Sequence, residues 1–205
     1  MRRAVQRHLV IFAKEPRLGA VKTRLARDIG AAAALRFYEK TLRALVARVA
    51  RDAGWRTWLA VTPDAFGPAV RRQWRFLPRD VAVIPQGAGD LGARMARAFA
   101  ALPPGPALLV GSDVPAITRA HIEAAFATLG RHDAVFGPAE DGGYWLVGQR
   151  RLHGLPHLFR HVRWSSPHAL ADTLANLAPG QTHALVARLA DIDDGAAYAS
   201  FRACR

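Results

Sequence analysis

The sequence predicts an α/β protein in three layers (α/β/α), with a mostly parallel but mixed sheet between helices. Three observations predict it. Short apolar runs of strand length alternate with helical patterns along the chain. The runs at His8 to Ala13 and Ala107 to Val110 are almost unbroken, as strands buried on both faces are. Finally, the run at Tyr144 to Val147 follows Phe136 after a short GPAEDGG turn, whereas a parallel crossover needs a dozen or more residues. At least one strand is therefore expected to run antiparallel.

Taken in order, His8 to Ala13 reads as a strand that opens into the loop KEPRLGAVK. A helix follows from Ala31 to Ala53, where Leu35, Tyr38, Leu42, Leu45 and Val49 recur at three- and four-residue steps, and Gly54 stops it. Strands are expected at Trp55 to Val61 and Val81 to Ile84, with a short helix near Pro68 to Trp74 between them. Gly87 and Gly89 open a loop into a helix over Leu91 to Leu102, which Pro103, Pro104 and Gly105 end. Strand Ala107 to Val110 leads into GSDVP, and Thr118 caps a helix that runs to Leu129. Strands Ala134 to Phe136 and Tyr144 to Val147 come next. Ser166 and Pro167 are read as the cap and first turn of a helix to about Leu177, and Thr182 to Leu189 as a last strand. No repeat or linker interrupts the pattern, so residues 1–205 are expected to form a single domain.

Composition narrows the class. The chain of 205 residues carries a formal charge of +13, and its one cysteine, Cys204, excludes an internal disulfide framework. The basic start MRRAVQRHLVIF is too briefly apolar for a signal peptide, and no run approaches a membrane span. A cytoplasmic protein is the expectation. Residues 1–102 hold 20 basic and 7 acidic side chains, while the remainder is balanced at 9 each. That asymmetry suits an anionic partner. Because all but three of the basic residues are arginines in an alanine-rich chain, GC-rich coding also accounts for much of it, and Arg43, Arg48 and Arg51 read as a solvated helix face.

In open α/β sheets ligands bind beyond the carboxyl ends of the strands, and four loops there carry chemistry. KEPRLGAVKTRL puts Lys14, Arg17, Lys22 and Arg24 around Gly19 ahead of a helix, a pattern suited to phosphate though neither a P-loop nor GxGxxG. QGAGDLGARM has three glycines that permit close backbone approach, and Gln86 has the groups to pair with a base edge or to cap a turn. GSDVP sets Asp113 at the end of the most apolar strand, where a carboxylate is a natural ligand for Mg²⁺ or Mn²⁺. GPAEDGGYWLVG supplies Glu140 and Asp141 before two glycines, and Asp191, Asp193 and Asp194 follow the last strand. If cations and carboxylates line one cleft, they suit a metal-bound diphosphate. The histidines lack zinc-site spacing, no GxSxG elbow exists, and the tryptophans are scattered.

Together FAKEPRLGAVKTRLA, QGAGDLGARMARAF, GSDVPAIT, GPAEDGGYWLVG, Trp164-Ser165 and DIDD resemble the DUF2064 family, a bacterial branch of the GT-A nucleotide-diphospho-sugar transferases. The resemblance runs from about His8 to about Asp194 and implies a Rossmann-like GT-A fold, a nucleotide substrate and a divalent cation, Mg²⁺ or Mn²⁺. It implies that Lys14, Gly19, Lys22, Thr23, Arg24, Gln86, Gly87 and Gly89 bind the nucleotide, with Lys22, Arg24 and Asp113 in catalysis. It places the metal on Asp113 and Asp193, and the acceptor against Asp141, Gly142, Gly143 and Tyr144. The sequence departs from the Asp-x-Asp of many GT-A enzymes, because Gly111 stands two residues before Asp113.

The leading expectation is a metal-dependent transferase that passes the sugar of a nucleotide-sugar to an unknown small-molecule acceptor. An alternative uses the same site with a nucleoside triphosphate and a phosphorylated acceptor, releasing pyrophosphate; the cation-rich KTR loop favours it. A further alternative is a non-catalytic nucleotide- or nucleic-acid-binding protein, but no helix-turn-helix, RRM or OB pattern supports nucleic acid.

Overall fold

The structure is a computed structural model that describes residues 5–50, 54–151 and 157–203. Its elements are β1 (His8–Lys14), α1 (Thr23–Ile29), α2 (Ala31–Val49), β2 (Arg56–Thr62), a 3-10 segment (Asp64–Ala69), α3 (Val70–Gln73), β3 (Ala82–Pro85), α4 (Leu91–Ala100), β4 (Ala107–Gly111), α5 (Arg119–Leu129), β5 (Ala134–Pro138), β6 (Tyr144–Gln149), α6 (Ala169–Ala175), β7 (His183–Leu185) and α7 (Gly195–Ala203). The strands form one sheet in the order β3-β2-β1-β4-β6-β5-β7. All pairings are parallel except those of β6, which runs antiparallel to both β4 and β5.

Alternation along β1 shows how the layers are built. Leu9, Ile11 and Ala13 face a cluster with Tyr38, Leu42, Leu45 and Val49 of α2 and with Ile122, Phe126 and Leu129 of α5. Val10 and Phe12 face the opposite cluster, with Met95, Ala98 and Phe99 of α4 and Leu158 and Phe159. Both faces of β1 and β4 are buried, which is why these strands carry no polar alternation.

Several expectations needed correction. Gly30, at φ 84°, divides the region after the first loop into α1 and α2, and α2 ends at Val49. The expected helix end at Ala53 lies outside the described residues. Thr118 does cap α5, accepting from the backbone N–H of His121 at 3.3 Å. Ser166 and Pro167 do not open α6, which begins at Ala169 after His168. Ser166 Oγ instead donates to the Arg163 carbonyl at 2.6 Å and accepts from the His168 N–H at 3.2 Å, so the hydroxyl folds a turn rather than capping a helix. The last strand shrinks to three residues at the sheet edge, and Leu189 rejoins the sheet only through an isolated bridge to Ala139.

Two topological facts position the site. From β1 the chain steps to one side through β2 and β3, then crosses over to β4 on the other side of β1. A crevice opens at such a switch point, beyond the carboxyl ends of β1 and β4. Because β6 is antiparallel, its first residue, Tyr144, lies at the same edge, and the short β5–β6 turn reaches the crevice directly.

Candidate functional site

A cleft of about 540 Å³ occupies this position. That is within the range of small-molecule sites. Its floor is the end of the sheet, and residues from all four chemically marked loops and from the segment after β7 line it.

The most constrained contact is an ionic cluster. Lys22 precedes α1 in a left-handed conformation (φ 47°, ψ 47°). Its Nζ donates to Asp193 Oδ1 at 2.7 Å and to Asp113 Oδ2 at 3.3 Å. The Lys22 side chain is only 5% exposed, against 23% for Asp193 and 44% for Asp113. Arg24, on the outer side, pairs with the second oxygen of Asp193. Residues 91 and 171 positions apart from Lys22 are thus joined by a single ammonium group. Burial pushes the Asp193 carboxyl up, but Lys22 and Arg24 outweigh it and hold the group below the usual carboxylate range. Its neighbour Asp191 is pushed up to about 6 by burial, by the charge and hydrogen bond of Asp193 and by the charge of Asp141, which together outweigh the opposing pull of Lys22.

The support beneath the cluster is specific. Tyr38 of α2 ties down the end of β1, accepting from the Lys14 N–H at 2.7 Å and donating to the Lys14 carbonyl at 2.8 Å. Burial raises its phenol to about 12, so it remains a neutral strut. Gly111 has no side chain to obstruct Asp113: a Cβ there would lie 2.8 Å from Asp113 Oδ1.

Of the residues singled out from sequence, Lys14, Lys22, Thr23, Arg24, Gln86, Asp113, Asp141, Gly143, Tyr144 and Asp193 line the cleft, and Gly19, Gly87, Gly89 and Gly142 do not. Gln86 is 4% exposed, and its Nε2 donates to the carbonyls of Ala13 (3.1 Å) and Ala60 (2.9 Å). Both amide hydrogens are therefore committed to the ends of β1 and β2. The Gly87 N–H donates to Asp64 Oδ1 at 2.9 Å, and the Gly89 carbonyl accepts from Arg94. Gly142 packs on the Ser166-Pro167 turn, where a Cβ would lie 2.2 Å from the Pro167 carbonyl oxygen. Asp141 Oδ1 accepts from the Gly143 N–H at 2.9 Å.

On the opposite wall, the Tyr144 hydroxyl shares a hydrogen bond of 3.3 Å with Thr173, so it is the ring that borders the cleft. The Tyr144 ring stands edge-on to Phe136 and Trp164. Trp145 and Trp164 join this aromatic wall, and Leu91 and Met95 of α4 extend its apolar surface. Arg163 holds Asp172 through two parallel hydrogen bonds of 2.9 and 2.7 Å, fixing the turn that carries Trp164. Sequence reasoning did not single out Tyr38 as a site residue and gave Asp191 no role. Tyr38 was hidden because its place in the apolar stripe of α2 marks it as core. Only the run of acids after the last strand pointed to Asp191.

Asp113 and Asp193 also fit a divalent cation. They are oxygen donors reached from one point, and at that point an ammonium already stands in for a cation. Among the described residues, no cluster of three or more His, Cys, Asp or Glu side chains forms a protein-only metal cage. A cation here would therefore need oxygens from its substrate as well, the usual arrangement for Mg²⁺ with phosphates.

The sheet order and the cleft at the switch point define a fold of the nucleotidyltransferase and GT-A type. A structure from Desulfovibrio desulfuricans G20, provisionally assigned as a nucleotide-diphospho-sugar transferase, superposes with a TM-score of 0.84 at 27% identity, covering 92% of this chain and 82% of that one. The 4-diphosphocytidyl-2C-methyl-D-erythritol synthase of Anaerococcus prevotii DSM 20548 gives 0.65 at 10% identity, over 97% and 96% of the two chains. The Rv0371c protein of Mycobacterium tuberculosis H37Rv, in complex with manganese, gives 0.57 at 18% identity, over 96% and 97%. Residues 45–166 match the family described as uncharacterized protein conserved in bacteria (DUF2064), and the chain belongs to that family. No curated protein matches it. No helix among the described residues is long and apolar enough to cross a membrane.

Proposed function

We propose that residues 1–205 act as one transferase domain that binds a nucleotide-sugar and transfers the sugar to a small-molecule acceptor with the help of a divalent cation. The observation that carries this reading is the convergence of Lys22, Arg24, Asp113 and Asp193 at the switch point of the sheet. The similarity to the Desulfovibrio protein supports it.

In sugar transfer the bond between the anomeric carbon and the diphosphate oxygen breaks, and negative charge grows on the departing diphosphate. Lys22, whose side chain is buried, and Arg24 and Lys14, on the exposed rim, would neutralise that charge. Asp113 and Asp193 would hold the cation, whose contribution is Lewis-acid stabilisation of the same oxygens. The aromatic wall of Tyr144 and Trp164 would bound the acceptor, with the Asp141 carboxylate at its edge to accept a hydrogen bond from an acceptor hydroxyl.

The density of cations on the first loop favours a second reading, in which a nucleoside triphosphate is attacked at its α-phosphorus by a phosphorylated acceptor and pyrophosphate leaves. Product analysis after incubation with Mn²⁺, nucleotide-sugars or nucleoside triphosphates and an acceptor library separates the two. Free nucleoside diphosphate supports sugar transfer, and pyrophosphate supports nucleotidyl transfer. Absence of binding by every nucleotide in calorimetric titration would overturn both. Asp113→Ala is expected to abolish metal-dependent binding.

A further inference from the structure

The two carboxylates offered to a divalent cation are not free. Asp193 is bonded through one oxygen to Lys22 and through the other to Arg24, while Asp113 is bonded through Oδ2 to the same Lys22 ammonium. Lys22 is the most buried of the four side chains, at 5% exposed, so this is not a loose surface pair that water screens. At its centre two carboxylates face one ammonium and one guanidinium, and a third carboxyl, Asp191, is hydrogen-bonded to Asp193.

Resting on the transferase reading above, we propose that Lys22 is an internal counter-ion that keeps the metal position closed to free divalent cation and yields it only to a cation arriving with a diphosphate. The reason is charge balance. A bare divalent ion entering the cluster would add two positive charges beside the Lys22 ammonium, whose side chain is only 5% exposed so that water screens the repulsion poorly, and beside the Arg24 guanidinium on the outer side. It would also have to take from Lys22 both of its hydrogen-bonding partners, with nothing in return. A diphosphate brings compensating negative charge and fresh oxygen acceptors, so Lys22 and Arg24 can pass from carboxylate to phosphate as the metal takes Asp113 and Asp193. Metal and diphosphate then bind with strong mutual reinforcement, and by linkage each strengthens the other equally. The lysine that neutralises the departing group therefore also sets the order in which the site is loaded.

The test is titration of the full chain with Mn²⁺ alone, read by the electron spin resonance signal of free Mn²⁺ and not by turnover. Wild type is expected to bind Mn²⁺ weakly, and Lys22→Met to bind it at least tenfold more tightly. The gain should vanish in Lys22→Met combined with Asp193→Asn, showing that the same carboxylate is responsible. Inorganic pyrophosphate should raise Mn²⁺ uptake by wild type at least tenfold beyond what the two form in solution. As Lys22→Met leaves two carboxylates without their ammonium, its melting temperature is followed as well, and Mn²⁺ should restore it. Arg24→Gln, at a side chain 68% exposed, is a second variant that leaves the fold intact and should show a smaller gain in Mn²⁺ affinity. The proposal is overturned if neither variant binds Mn²⁺ more tightly than wild type, or if wild type binds Mn²⁺ as tightly without pyrophosphate as with it. Turnover of nucleotides without the Mn²⁺ gain would count against the lock alone. The gain without any nucleotide binding would count against the transferase reading alone.

Discussion

The loops after β1 and β3 look alike in sequence and do opposite things. Each follows a parallel strand, carries at least one glycine and leads to a helix, and each offers polar groups suited to a nucleotide. In the loop after β1, the side chains of Lys14, Lys22, Thr23 and Arg24 border the cleft. In the loop after β3, Gln86 reaches the cleft but spends its Nε2 on the strand ends, and the Gly87 N–H goes to Asp64. Composition says which groups a loop has, whereas hydrogen-bond bookkeeping says which of them are left for a ligand.

The largest expected effect that would sharpen this contrast is at Lys22. Lys22→Met should lower kcat/KM by roughly 100- to 1,000-fold, the usual cost of removing one preorganised donor at a developing charge. Steady-state kinetics at saturating metal checks it. Gln86 should behave in the opposite way: Gln86→Leu removes two buried hydrogen bonds, to the carbonyls of Ala13 and Ala60, and should cost about 1–3 kcal/mol of stability, with nucleotide affinity in the surviving folded protein unchanged. Denaturant unfolding and calorimetry together decide it. An unchanged stability with weakened nucleotide binding would break the contrast.

Tyr144→Phe removes a hydroxyl bonded to Thr173, with the ring kept in place, so it should cost about 1 kcal/mol of stability or less and leave acceptor KM unchanged. Tyr144→Ala, which removes the ring, should raise acceptor KM. The smallest effect lies far from either loop. His8 Nδ1 accepts from Trp58 Nε1 at 3.2 Å, which requires a neutral ring, and burial followed by the charges of Arg151 and Arg56 lowers its pKa below 6.5. A depressed pKa contributes stability above the unfolded value that is lost as pH falls toward the folded one. Thermal melts should therefore fall as pH drops below 6.5, and His8→Gln should flatten that slope.

Much of the fold was legible in the sequence because its signals are local. The stripe of Leu35 to Val49, the Thr118 cap and the brevity of the GPAEDGG turn each depend on neighbours a few residues apart. The misread boundaries are those decided by distant partners: Ser166 folds a turn held by Arg163 and Asp172, and β7 pairs with β5 over only three residues. The site divides in the same way. That Lys22, Asp113 and Asp193 share a cleft could be anticipated from loops at one edge of a sheet. That one ammonium would join two of those carboxylates could not, because it depends on the left-handed turn at Lys22 and on the path of the chain after β7.

The bare α-carbon of Gly111 constrains any attempt to remodel this protein. Installing the acidic pair common in related folds by Gly111→Asp would bring a new Cβ to 2.8 Å from Asp113 Oδ1, so the carboxylate it was meant to assist would have to turn to make room. An engineer seeking a stronger metal centre would look instead to Asp191, which stands beside Asp193 in the same cleft.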